Sequence, residues 1–240
     1  MGAQLHVTKL VAAQRQLRAA IRMFFAGEDE LAIHTVASAA YRIISDLKKK
    51  RGRDEVGDYY LTMIFYVVRD YRRGTLPRQF TEDQKAMEWI QKMAKQLPIT
   101  ASMEYDDIRG SVSEETAREW WQKRNRISNF LKHADRDAKG HISLQEIDNL
   151  NLLTLALASY SDLVKDDLGA EGTILWIYFN VVTGTKEQLP EKYRDIANDL
   201  YEYDPDEQLR ICSLFIERMN KSEAQQSASQ GFGPKSGPHL

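Results

Sequence analysis

The residues able to do chemistry crowd into one short stretch, Arg124 to Glu146. Arg126, Asn129 and His133 follow one another at steps of three and four, so on a helix they project from one face. A guanidinium, a carboxamide and an imidazole side by side can grip a phosphate and move a proton next to it. Directly after them come Asp135, Asp137, Ser143 and Glu146, oxygen donors of the kind that hold a hard cation. Far upstream, His34 sits beside an apolar seam with Thr35, Ser38 and Tyr41 nearby. Its ordinary role is that of a half-buried, hydrogen-bonded histidine; joined with His133 and Asp135 or Asp137, it offers ligands for a transition metal. Lys132 and His133 also suit a plain helix C-terminus, where positive charge is favoured.

The segment "KRNRISNFLKH" resembles HEPN domains, helical bundles of which many are metal-independent ribonucleases. Their pattern is an arginine, a polar residue and, a short way on, a histidine. One alignment begins at Arg124 and Asn125 and puts Asn129 where the closest form has histidine. A second begins at Arg126 and reaches His133 across six residues. The resemblance implies RNA as the target, in stress, toxin–antitoxin or phage-defence biology, and a site assembled by a homodimer. It also implies the roles: the histidine moves the 2′-hydroxyl proton or protonates the leaving oxygen, and the arginine stabilises the charged phosphorane. In addition, "NFLKHADRD" and "AIRMFFAGEDELAIHTVASAAYRIISDL" look like an uncharacterised family of bacterial helical proteins, a likeness that spans residues 10–165 and brings no activity with it.

"DRDAKGHISLQE", residues 135–146, resembles the calcium loop of an EF-hand. Asp135 falls at position 1, Asp137 at 3, Gly140 at 6, Ile142 at 8, Ser143 at 9 and Glu146 at 12, and His141 at 7 offers its carbonyl. Calcium is thus the one cofactor the sequence suggests. Lys139 breaks the pattern at position 5, where a charge replaces an oxygen and weakens any site. No second loop accompanies this one, and Asp, Gly and Ser also suit a polar turn between two helices.

These residues need elements to hold them, and the chain reads as helix after helix. Val7, Leu10, Gln14, Leu17, Ile21 and Phe24, then Ile33, Val36, Ala40, Ile43 and Leu47, keep steps of three and four. Between them Gly27 suits a left-handed cap and Asp29 an N-cap, so 5–50 reads as an antiparallel helical hairpin. It ends in "KKKRGRDE", a basic run that suits a helix end, with phosphate binding as the alternative reading. Helices are expected over 55–73, over 81–97 with Thr81 opening it, from 113 to about 134, and over 143–167. Residues 98–112 read as a loop. Three further helices follow, of which "TILWIYFNVV" is the most ambiguous because of its β-formers. Residues from Lys221 onward are rich in Ser, Gln, Gly and Pro and read as a disordered tail.

The expected class is all-α: a bundle over 1–168, a helical extension over 169–220 packing on it, and the tail 221–240. The chain has 240 residues and a formal net charge of -2, so no global field draws nucleic acid or membrane. Its lone Cys212 sits in an apolar helical pattern and reads as a buried thiol. Neither a leader peptide nor a membrane span is apparent, and a cytoplasmic location is expected. The sequence shows no glycine-rich phosphate loop, no zinc-type cysteine pair, no nucleophile elbow and no evident DNA-binding motif.

Overall fold

The computed structural model describes residues 6–51, 59–104, 107, 114–133, 135, 138–165 and 168–229. Among them are ten α-helices and no strand. Two helices open the chain, α1 (Lys9–Phe25) and α2 (Glu30–Lys50), and pack antiparallel as the expected hairpin. The turn between them follows from three residues. Gly27 takes φ +66°, and the amides of Gly27 and Glu28 reach back to the carbonyls of Phe24 and Met23, closing a Schellman motif. Asp29 then caps α2, its Oδ1 accepting from the amides of Leu31 and Ala32 at 3.0 Å each.

The next segments form α3 (Tyr59–Arg73), α4 (Arg78–Glu82) and α5 (Gln84–Gln96). The single helix expected over 81–97 is in fact broken. Asp83 stops α4 and caps α5, accepting from Lys85 N at 2.9 Å and Ala86 N at 3.1 Å, whereas the Thr81 hydroxyl only bonds back to the Arg78 carbonyl. An aspartate in extended backbone satisfies two helix-start amides at once, which outweighs continuing the helix through it. Residues 98–104 form no α-helix.

α6 (Glu114–Lys132) ends just short of the polar corner. The expected start of the next helix at 143 moves to α7 (Asn149–Val164). Ser143 and Glu146 instead form a capping box on a 3-10 turn, Leu144–Glu146, and Asp148 caps α7 through Asn151 N at 2.9 Å. α8 (Ala170–Val182), α9 (Glu191–Tyr201) and α10 (Pro205–Ser229) complete the fold. The β-formers of α8 are overruled by burial on nearly all sides. Residues 221–229, read from composition as tail, continue α10, and 230–240 lie outside the described residues.

α1, α2, α7, α8, α9 and α10 share one core, with Leu17, Ile21, Ile44, Leu153, Leu175 and Ile216 fully buried. Gly172 lets α8 approach α7, since a Cβ there would lie 3.0 Å from Leu157 Cδ1 on α7, and 2.7 Å from the Leu168 Cβ just ahead of α8. Cys212 is buried in this core, which pushes its thiol pKa up to about 12. α3 and α5 enclose a second, smaller cluster around Phe65, Val68 and Met93. Among the described residues no helix is long and apolar enough to cross a membrane.

α8 also holds a buried charge. Glu171 is 0% exposed. Arg18 Nε donates to it at 2.9 Å, an Arg22 guanidinium nitrogen at 2.5 Å and Asn220 Nδ2 at 3.2 Å. Burial alone would raise its pKa, but the hydrogen bonds from Arg18, its own backbone and Arg22 outweigh that and hold it low. The cluster ties α1, α8 and α10 together.

Candidate functional site

α6 lies against α2, and between them opens a cleft of about 210 Å³ with Leu152 of α7 at its side. From α2 it receives His34, Ser38, Tyr41 and Ser45, one helical turn after another. Arg42, Asp46 and Lys49 stand further along the same wall. From α6 come Asn125, Ser128, Asn129 and Lys132, with His133 just past the helix end. His34, Ser38, Ser45 and Ser128 are each more than nine-tenths buried. The inner wall is thus polar yet shielded from bulk water, which strengthens any electrostatic contact made there.

His34 is the most unusual group in the wall. It is 6% exposed, and its Nδ1 has no hydrogen-bond partner. Burial lowers its pKa, the Asn149 side chain opposes this, and the charge of Lys132 lowers it further; the net shift is downward, so the ring is neutral at neutral pH. The charges near the mouth do not cancel. Arg42 and Asp46 pair at 3.5 Å, but Lys49 and Lys132 have no ion-pair partner among the described residues. Two free ammonium groups over a lining of hydroxyls, amides and imidazoles fit a phosphate-bearing ligand.

The sequence-read residues divide between this cleft and its flank. His34, Asn129 and His133 are brought together in it, with the Ser38 and Tyr41 that were expected near His34. Thr35 is exposed and bonds to the Leu31 carbonyl instead. Arg126 does not line the cleft. Its guanidinium pairs with the Glu146 carboxylate, and Phe130, on the same stripe, is partly exposed. The face turned to α2 is 125–128–129–132 rather than 126–129–130–133. Arg124 lies within α6, and its side chain is outside the described residues.

The proposed metal donors are spread out. Asp135 is exposed and stands 3.8 Å from His133 Nδ1. Ser143 and Glu146 serve the capping box, with Glu146 Oε1 accepting from Ser143 N at 3.3 Å while the other oxygen meets Arg126. Asp137 lies outside the described residues. Among the described residues no three of His, Cys, Asp and Glu gather as a metal would need, and this includes His34, His133 and Asp135.

Sequence reading missed Ser45 and Ser128, while Asn125 entered only through the first HEPN alignment and Lys49 only through the basic run at the end of the hairpin. A signal was present: His34, Ser38, Tyr41, Ser45 and Lys49 form a polar stripe at steps of three and four beside the apolar one. Comparison with family models, curated proteins and solved structures finds no match to this chain.

Proposed function

We propose that this is a HEPN-like helical protein that targets RNA, and that the α2/α6 cleft is its active site. One observation carries the reading: His34, buried and facing the cavity, shares a polar cleft with His133 and the ammonium of Lys132, which has no ion-pair partner among the described residues. Two imidazoles and a cation around one phosphate suffice for cleavage without a metal. In this scheme neutral His34 accepts the proton of an RNA 2′-hydroxyl as that oxygen attacks the adjacent phosphorus. The bond from phosphorus to the 5′ oxygen breaks, and protonated His133 supplies the proton that leaves with that oxygen. The products are a 2′,3′-cyclic phosphate and a 5′-hydroxyl end. Lys132 takes the charge-stabilising role that the HEPN pattern gives to Arg126, because Arg126 is occupied by Glu146. Asn129 donates to a phosphate oxygen. The HEPN resemblance implies a homodimeric site, but both imidazoles here come from one chain, so the chemistry does not require a second copy.

The test is cleavage of a labelled single-stranded RNA in EDTA. The wild type yields cyclic-phosphate ends, a 2′-deoxy substrate stays intact, and His133→Ala lowers the rate about 100-fold or more. An intact RNA substrate with the wild type, or equal cleavage by His133→Ala, rejects the assignment.

A further inference from the structure

Two orphaned polar atoms lie behind the cleft: Nδ1 of His34 and Oδ1 of Asn149, both sealed from solvent. The orientation of Asn149 is not free. Its Nδ2 donates to the Glu30 carbonyl at 3.0 Å, which fixes the other end of the amide as the acceptor. Asn149 itself is 6% exposed and held at the first position of α7, directly after the Asp148 cap. The Asn149 side chain opposes the lowering of the His34 pKa by burial, as an acceptor near the ring does. A buried acceptor and a buried ring nitrogen side by side each cost stability if left unmade. Both are satisfied together if Nδ1 carries the proton. Nδ1 is the sealed nitrogen, so Nε2 is the one a ligand in the cleft can reach.

We propose that Asn149 is a positioning residue: its side-chain oxygen accepts the Nδ1 proton of His34 and so fixes the tautomer whose Nε2 lone pair points to the cleft. A neutral imidazole can act as a base only through its unprotonated nitrogen, so the tautomer decides whether His34 can take a proton from a ligand. The catalytic part of this inference rests on the reading of the cleft given above; the tautomer itself does not. The other titratable groups of the cleft are Tyr41, Arg42, Asp46 and Lys49 on α2 and Lys132 and His133 at the end of α6, while α7 lines it with Leu152. None of them makes a hydrogen bond to His34 Nδ1.

The full chain with 15N-labelled histidine tests the idea at neutral pH, since long-range proton–nitrogen correlations distinguish the two imidazole tautomers. His34 is expected as the Nδ1–H form in the wild type and as a mixture or the Nε2–H form in Asn149→Leu. Cleavage by Asn149→Leu is expected to fall at least tenfold in kcat with KM little changed. Asn149→Asp places a carboxylate beside the ring, so the acid limb of the pH–rate profile moves to higher pH. A wild-type His34 in the Nε2–H form, or an unaltered tautomer in Asn149→Leu, overturns the proposal. RNA left uncut by a wild type with the Nδ1–H tautomer rejects the ribonuclease reading and leaves the positioning role intact.

Discussion

Glu171 and His34 are both polar, both buried, and each is embraced by helices from distant parts of the chain, yet their surroundings are opposite. Glu171 receives Arg18, Arg22 and Asn220. His34 has a cavity on one side and, on the other, only the neutral amide of Asn149. A buried polar group that is fully satisfied holds architecture together; one left unsatisfied beside a cleft costs stability and is retained for what it does. Removing each group should therefore have different consequences.

The largest effect on folding is expected from Glu171→Ala. It removes the buried carboxylate that joins Arg18, Arg22 and Asn220 and leaves a gap in its place, and should lower stability by about 3 kcal/mol, or roughly 10 °C in Tm, without altering phosphate binding in the cleft. Thermal melting followed by differential scanning calorimetry measures it, and a shift under 2 °C, on the order of less than 1 kcal/mol, would deny Glu171 its structural role. His34→Leu should act mainly on the chemistry: cleavage about 100-fold slower, with Tm lowered by only about 2–4 °C, because the one buried group it strands is the Asn149 side-chain oxygen. Lys132→Gln should weaken phosphate or RNA binding about tenfold, with reduced salt dependence.

Acid separates the two centres as well. The folded pKa of His34 lies below its ordinary 6.5. Above that value the ring is neutral in both states and contributes nothing. As pH falls from 6.5 through the lowered folded pKa, the unfolded chain takes up the proton first, and stability drops. Glu171 lies below its ordinary 4.5, so its contribution is complete above 4.5 and is lost as pH falls through the folded value. Stability measured against pH should show both windows, and His34→Leu should flatten the upper one only. The smallest effect belongs to Glu146→Gln. Glutamine keeps the capping box, and the exposed pair with Arg126 contributes under about 1 kcal/mol. If calcium raised the Tm of the wild type and not of this variant, the loop at 135–146 would regain its claim as a metal site.

The all-α class and the hairpin were legible because local chemistry settles them: Gly27 and Asp29 act within a few residues. The break at Asp83 was missed for a related reason, since amphipathic spacing runs through a residue whose capping geometry shows only in three dimensions. For the site, the sequence named His34, Asn129 and His133 but could not join α2 to α6. It also turned α6 by about one residue, roughly 100°, because Arg126 reads as chemistry while its fate is decided by Glu146, twenty residues on. Glu171 drew no notice because a lone acid before an apolar run resembles a helix-start residue, and its partners lie on α1 and α10.

The most direct test of the contrast is a titration of the wild-type chain with inorganic phosphate, followed by NMR on labelled histidine and on side-chain amides. The account predicts that the His34 and His133 ring signals shift together and saturate at one concentration, that Lys132→Gln requires about tenfold more phosphate, and that the Asn220 amide beside Glu171 does not move. Ring signals that stay fixed, or an Asn220 amide that shifts with them, would contradict it.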